Sequence, residues 1–425
     1  MGVAAQHELI RALAECFAGE ATLPGVLARA TRLLGEEPRW LGGLVRRYLA
    51  RYGDSVRPRT IDVESWLWTD YRLRAALRRR RRNPLEVADW MRDPAVMLPA
   101  PKARAWNLPA IVTAGDLAEY FGITADELDW FANLHSLDSR KHYHQRLLPK
   151  ASGAVRLIES PKPRLKAIQR RILQEILDPI PLHSAVNGFR KGRSVRNFVA
   201  GHIGQRVVVR MDLQDFFTTI SRARVQAFFR TAGYPEPVAD LLGGICTVST
   251  PRKVLARPPY DLPHLPQGAP TSPALANLCA YRLDCRLAGL AIASDGFYTR
   301  YADDLAFSGN DRFARGAETF SIHVAAIAME EGFSVHHRKT RIMRPGVRQY
   351  LTGVVVNEKL NVPCPDYDKL KAILTNCLRH GPASQNRDNH PDFGAHLDGR
   401  IQWLESLNPP RGEKLRALFS QIMWG

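Results

Sequence analysis

Apolar residues recur at three- and four-residue spacing through residues 1 to about 93, the mark of one buried helical face. "LIRALAECF" (Leu9–Phe17) and "WLGGLVRRYLARYG" (Trp40–Gly53) show it most clearly. The segment closes in a five-arginine run, Arg78 to Arg82, stopped by Asn83-Pro84. Such a run is either a solvated helix end or a patch that tracks phosphates. Pro94, Pro99, Pro101 and Pro109 then mark a linker or extended arm. Two short helices follow in "TAGDLAEYFGITADELDWFANL", where Gly122 suits a helix end and Thr124 with Glu127 makes a capping box.

Beyond that point the pattern mixes periods of two and of three to four. "AVRLIES" reads as a strand after a Ser152-Gly153 turn, and "PRLKAIQRRILQEIL" as a basic amphipathic helix. "RVVVRMDLQDFF" is a β-branched strand, "GFYTRYADDLAFSG" two strands meeting at "YADD", and "GFSVHHRKTRIMRPGVRQYLTGVVVN" a further strand pair. From about Asp366 the chain is helical again, and no internal repeat is visible.

A chain of 425 residues exceeds one ordinary core, so two or three domains are expected. There is no apolar run long enough to span a bilayer. The N-terminus lacks a signal-peptide core, and Gln6 stands where a myristoylation site wants Ser or Thr, so a cytoplasmic protein is expected. The six cysteines are scattered with no C-x-x-C pair, which suggests neither a zinc site nor a disulfide framework. Charge changes the picture more. Sixty Lys+Arg against 42 Asp+Glu leave +18, a balance suited to a polyanion such as nucleic acid. Arginine, whose planar fork matches phosphate, dominates the positive side.

Against that basic background, carboxylates gather at strand ends. Asp212 and Asp215 close the strand "VVVRMDLQD", and Asp303 and Asp304 sit side by side in "YADD". Three carboxylates on neighbouring strands would be strongly unfavourable inside a protein unless something offset their charge. Magnesium is a hard ion that takes oxygen ligands from one or two carboxylates plus substrate phosphates. Two such ions can stabilise both the attacking and leaving oxygens of displacement at phosphorus. A basic chain with a carboxylate pocket therefore suggests nucleotidyl transfer; the plainer reading of "YADD" alone is a turn. Phe216 and Phe217 follow Asp212 closely. An aromatic wall there could exclude a 2′-hydroxyl, whereas core packing suits Phe216. "PQGAPTSP" forms a rigid turn before a helix, where small residues allow close approach and free N–H groups meet phosphate.

The order of these motifs resembles the reverse transcriptases, and among them the retron type. "PKASGAVRLIESPKPRLKAIQRRIL", "NGFRKGRSVRNFVAGH", "VVVRMDLQDFF", "LPQGAPTSPALANL", "RYADDLAFSG", "GFSVHHRKTRIM" and "QYLTGVVVN" occur in the family's order from about residue 110 onward. The resemblance implies an α+β fold shaped as a right hand. A helical N-terminal extension (1–105) would precede fingers (106–205), a palm with an antiparallel sheet (206–357, with an insertion near 221–265) and a helical thumb (358–425). It implies that Asp212, Asp303 and Asp304 are the catalytic, metal-binding aspartates. Lys150, Arg156, Phe217, Gln267, Gly268 and Lys339 would bind the nucleotide, with Phe217 as the sugar gate and Lys339 near the leaving pyrophosphate. Arg190, Lys191, Arg193, Tyr301 and the element Leu351, Thr352, Gly353 would meet nucleic acid. Arg400, Arg411, Lys414 and Arg416 would face the template–primer duplex. Residues 1 to about 100 and 248 to 264 match nothing in the minimal retron enzyme and are where recognition of a particular RNA is expected.

The implied activity is RNA-templated DNA synthesis with two Mg²⁺, for which Mn²⁺ is a substitute. The implied partners are dNTPs, a structured noncoding RNA that serves as template and primer, its cDNA, and a retron effector protein. The product would be a branched RNA–DNA hybrid (msDNA) used in anti-phage defence. A different defence-associated or group II intron-like reverse transcriptase shares the same core, and an RNA-binding scaffold on an inactive polymerase fold is the non-enzymatic alternative.

Overall fold

The helices at the start of the chain hold together through one buried face. They span Val3–Phe17, Leu23–Leu34, Leu41–Tyr52, Thr60–Thr69 and Tyr71–Arg79. Leu13, Phe17, Leu44, Tyr48 and Leu67 are buried in a core of their own, and the Tyr48 hydroxyl donates to the Phe17 carbonyl at 2.8 Å. The computed structural model describes residues 3–17, 21–53, 58–79, 87–88, 96–134, 142–149, 155–255 and 257–424, with side chains from residue 6. Of the arginine run, Arg78 and Arg79 end the last helix with exposed side chains; Arg80, Arg81 and Arg82 lie outside the described residues. Among the described residues, no helix is long and apolar enough to cross a membrane.

The architecture is α+β. The chain falls into two units, each assembled from two stretches: residues 1–181 with 217–279, and residues 182–216 with 280–425. In the first, the N-terminal helices are fastened to the helix Glu236–Cys246. Thr60 donates from both its backbone N–H and its hydroxyl to Glu236 Oε2, each at 2.8 Å, and Arg59 reaches Asp240 at 3.3 Å. The two short helices form as the sequence predicts. Gly122 closes the first at φ 66°, and Thr124 and Glu127 exchange capping bonds at 3.2 Å. Strands β1 (Tyr143–Pro149) and β2 (Val155–Pro161) make an antiparallel hairpin. The basic helix that follows runs from Pro163 to Ile172 and then loosens into a π turn at Leu173–Leu177.

The second unit is built on a five-stranded antiparallel sheet: β3 (Val207–Gln214), β4 (Gly296–Tyr301), β5 (Asp304–Gly309), β6 (Ser334–Val335) and β7 (Arg341–Met343). The path is β4-β5-β3-β6, with β7 also on β3. Val207, Val209, Met211 and Leu213 bury one face of β3, against which the helix Ala317–Glu330 packs. The other face begins apolar at Val208, which joins a core with the C-terminal helices Cys364–His380, Phe393–Leu407 and Pro409–Phe419, and turns polar at Arg210 and Asp212. A short hairpin, β8 (Tyr350–Leu351) and β9 (Val354–Val355), contributes Leu351 and Val354 to that core. His202, in the turn just past the helix Val195–Ala200, reaches β4 and β5. It donates from Nε2 to the Thr299 hydroxyl and accepts from Ser308 at Nδ1, both at 2.7 Å. Burial lowers its pKa to about 3 and keeps it neutral.

The turn between β4 and β5 is supported from behind. Asn187 donates to the Arg300 carbonyl and Arg300 to the Ala185 carbonyl, each at 2.8 Å, which lays the stretch Ala185–Gly188 along the end of β4. A Cβ on Gly188 would stand 2.5 Å from the Ala302 nitrogen. Only glycine lets the backbone come this close. Gly188→Ala should therefore cost about 1–3 kcal/mol of stability. Urea unfolding checks it, and an unchanged midpoint would show that the turn yields freely.

Candidate active site

Pairing of β3 with β5 sets Asp212 directly across from Asp304. The turn before β5 puts Ala302 in the left-handed region at φ 56°, and Leu213 N–H donates to the Asp303 carbonyl at 2.9 Å. Asp303 thus hangs from the turn over the end of β3. Burial raises its pKa, and the charge of Asp212 raises it further; Asp304 adds to the effect and Lys339 partly offsets it. The Lys339 ammonium binds Asp212 Oδ1 at 2.8 Å while its side chain stays 56% exposed. Asp212 itself is 7% exposed and is also fixed through its carbonyl, which accepts from His336 N–H at 2.7 Å.

Asp304 differs from its neighbour. One carboxylate oxygen accepts from Arg210 Nε at 2.9 Å and Nη2 at 2.7 Å. The other accepts from the Thr352 hydroxyl at 3.1 Å. Arg210 lies on the same face of β3 as Asp212, so this is a diagonal cross-strand pair. Thr352 and Gly353 form the two-residue turn of the β8–β9 hairpin, with φ values of 41° and 90°. Both positions of such a turn need positive φ, which explains Gly353 and makes Thr352 a strained choice. The strain delivers a hydroxyl to Asp304.

Beneath the turn lies an ion pair with both partners at 0% exposure: Arg300 donates to Asp284 at 2.7 and 2.6 Å. Tyr298 adds its hydroxyl to Asp284 at 2.8 Å, and Arg300 Nη1 donates to the Ala302 carbonyl at 3.1 Å. The guanidinium also sits 5.5 Å above the Phe216 ring, itself packed on Phe333. Phe216 is core, as its sequence context suggests.

The other expected residues divide between the two units. In the second unit, Arg190 is half-buried and donates to the carbonyls of His183 and Val186 at 3.2 and 3.3 Å, whereas Lys191 and Arg193 are exposed. Tyr301 packs its ring near Phe198. Leu351 is wholly buried, so within its element Thr352 and Gly353 are the residues the turn presents. Arg416 is held by Asp398 and by Glu405 at 2.9 Å. In the first unit, Arg156 is exposed on β2, Phe217 is half-buried, and Gln267 and Gly268 sit in a loop bonded to β2. Lys150 lies outside the described residues. Sequence reasoning missed Arg210, Arg300 and Asp284. The first two carried a signal: an arginine inside "VVVRMD" and one at the end of a buried strand each demand an acidic partner.

Among the described residues, no three His, Cys, Asp or Glu side chains converge as a ready ligand set. Asp212 and Asp303 nonetheless fit a hard divalent cation. They are oxygen donors, the charge of Asp212 is close enough to raise the proton affinity of Asp303, and two carboxylates suffice when phosphates and water fill the remaining positions. The raised pKa has a sign. The unfolded chain ionises this carboxyl first, so folding loses stability as pH climbs from the ordinary carboxylate range through the raised value, and the loss persists at neutral pH. Asp303→Asn should therefore raise the melting temperature at pH 7. Added MgCl₂ should raise that of the unsubstituted chain and leave the variant's unchanged. Scanning fluorimetry reads both, and a variant that melts lower would contradict the repulsion.

Comparison with known proteins agrees with this geometry. The family described as "Reverse transcriptase (RNA-dependent DNA polymerase)" matches residues 148–378. The retron Mx65 reverse transcriptase of Myxococcus xanthus is 39% identical over 352 residues, covering 80% of this chain and 77% of that protein. The retron Mx162 reverse transcriptase of the same organism is 34% identical over 76% of this chain and 69% of its own length. The retron Ec86 reverse transcriptase of Escherichia coli is 30% identical over 64% of this chain and 80% of its own. With its acids set at the turn of one hairpin and the end of the strand beside it, the chain belongs to the retron reverse transcriptases and is an RNA-directed DNA polymerase.

Proposed function

We propose that the Asp212–Asp303 pair is the catalytic centre and that the carboxylates hold divalent magnesium there, with Mn²⁺ as a substitute. The observation that carries this is the proximity of two carboxylates largely removed from water, with the exposed Lys339 as counter-charge on Asp212. Proteins with this domain generally use divalent metal ions. When bound, magnesium supplies electrostatic stabilisation of the charge that develops at phosphorus.

The chain's own residues prepare the site. The turn fixed by Arg300 aims Asp303, and the His336 bond to its carbonyl holds Asp212. Arg210 and Thr352 keep the Asp304 carboxylate in the sheet, which gives Asp304 a positioning part beside the two acids that hold the cation. Lys339 neutralises Asp212 and, being exposed, is free to move to the departing phosphates. In the reaction, a primer hydroxyl gives up its proton to water as its oxygen bonds to the α-phosphorus of a dNTP, the bond from that phosphorus to the bridging oxygen breaks, and pyrophosphate leaves. Arg156, Gln267 and Gly268, with Lys150, take the nucleotide-binding part, and Phe217 the selection of deoxyribose. Lys191, Arg193, Tyr301, Thr352 and Gly353 face nucleic acid, with Arg190 and Leu351 shaping their loops.

In this reading the β3–β7 sheet is the palm, the β1–β2 hairpin belongs to the fingers, the C-terminal helices form the thumb, and residues 1–105 are the extension. Template and primer are the chain's own structured noncoding RNA, a 2′-hydroxyl of which starts synthesis of a branched RNA–DNA product for anti-phage defence with a companion effector. Family membership supports this part.

Asp212→Asn and Asp303→Asn should each lower Mg²⁺-dependent dNTP incorporation by at least about a hundredfold while leaving RNA binding intact. Primer extension with matched RNA-binding measurements checks this, and near-normal incorporation by either variant would defeat the assignment. Phe217→Ala should raise ribonucleotide incorporation relative to deoxyribonucleotide by about tenfold or more. Unchanged discrimination would remove Phe217 from sugar selection.

A further inference from the structure

A second buried acid lies outside the carboxylate site. Glu159, on the inward face of β2, is 0% exposed, and His264 beside it is 1% exposed. A carboxylate buried alone would cost several kcal/mol, so its oxygens need partners. Oε1 accepts from the Thr250 hydroxyl at 2.8 Å and from Gln145 Nε2 at 3.2 Å. Oε2 lies 3.1 Å from His264 Nε2. On the far side of the ring, Nδ1 is 2.7 Å from the Leu262 carbonyl oxygen, which can only accept, so Nδ1 carries a proton. One further proton then bridges Nε2 and Oε2.

The cluster gathers three pieces of chain. Gln145 comes from β1 and Glu159 from β2. Thr250 and His264 stand near the two ends of the segment 248–264. Its ends are clamped by a backbone exchange between Val248 and His264, both bonds 2.9 Å. Three residues after His264, the Gln267 carbonyl accepts from Glu159 N–H at 2.9 Å. Gly268, at φ 136°, lies against the Glu159 carbonyl, where a Cβ would stand 3.0 Å away. Side chains alternate along β2, so the same strand that turns Glu159 inward turns Arg156 outward. Apolar packing would hold these pieces together at least as well. What a fully satisfied polar network adds is one fixed geometry.

We propose that Glu159 and His264 are positioning residues for nucleotide capture, holding the Gln267–Gly268 loop in register with the strand that carries Arg156. This rests on the reading of that loop as nucleotide-binding. The pair touches neither substrate nor metal in this role; it sets where those that do will stand.

The test is steady-state primer extension on one RNA template with varied dNTP, using the full chain. Replacing both partners by apolar residues, Glu159→Leu with His264→Leu, removes the buried carboxylate and imidazole together, leaves only the neutral Thr250 hydroxyl and Gln145 amide without their acceptor and the Leu262 carbonyl without its donor, and should keep a cooperative melt. It should raise the dNTP KM about tenfold with kcat within about twofold, the pattern of lost alignment in binding. Glu159→Gln, whose amide can serve both Thr250 and a neutral His264, should restore KM to within about twofold of the unsubstituted value. Thr250→Val, a milder change, should raise KM about threefold and stands in should the double variant not fold. Gln267→Ala is the control for the loop. A raised KM in Gln267→Ala with an unchanged KM in the folded double variant, or in Thr250→Val if that variant stands in, overturns the positioning role. An unchanged KM in Gln267→Ala overturns the loop's nucleotide reading, and this proposal with it.

Discussion

The ion pair of Arg300 and Asp284 is the constraint on which the β4–β5 hairpin depends. Both groups are removed from water, so each needs the other, and breaking such a pair costs about 3–5 kcal/mol. From this anchor Arg300 reaches the carbonyl of Ala302 and holds a non-glycine residue in left-handed backbone. Gly188 closes the space behind that turn, and Phe216 lies under the guanidinium. The consequence is directional. The turn is held so that Asp303 stays near Asp212, although burial and like charge both oppose that placement. A strained, self-repelling site persists because a buried and fully bonded base over-determines it.

The two adjacent aspartates of "YADD" then stand in different surroundings. Strand alternation gives them different surroundings, and their partners separate them further. Asp303 is left with a carboxylate neighbour and the nearby field of Lys339, whereas Asp304 spends its oxygens on Arg210 and Thr352. The hairpin turn at Thr352 and Gly353 is thereby tied to β5, the strand that leads out of the turn carrying Asp303. Its strain makes sense only if the hydroxyl is needed there.

Much of this was legible in the sequence, for identifiable reasons. Local chemistry marks itself: the cap at Gly122 and the box of Thr124 and Glu127 depend on residues a few positions apart. The strand that carries Asp212 announces its burial by a run of β-branched residues. What depends on tertiary partners was hidden. Nothing in the text of the chain says that Asp212 faces Asp304, that Arg210 takes the latter, or that Asp284, on the helix Tyr281–Ala293 just before β4, answers Arg300. The element "LTG" reads as one unit, yet the structure buries Leu351 and presents Thr352, a split set by hairpin geometry. The basic helix after β2 reads as continuous, and its loosening at Leu173–Leu177 leaves no local signature.

The division of labour between Asp303 and Asp304 is the most exposed part of this account. Titration of Mn²⁺ followed by electron paramagnetic resonance, on the chain bound to primer–template and a non-reacting dNTP analogue, measures it directly. Asp303→Asn should weaken Mn²⁺ binding at least about tenfold, while Asp304→Asn should stay within about threefold of the unsubstituted chain. Equal loss in the two variants would contradict the account, because it would place Asp304 on the metal rather than in the sheet.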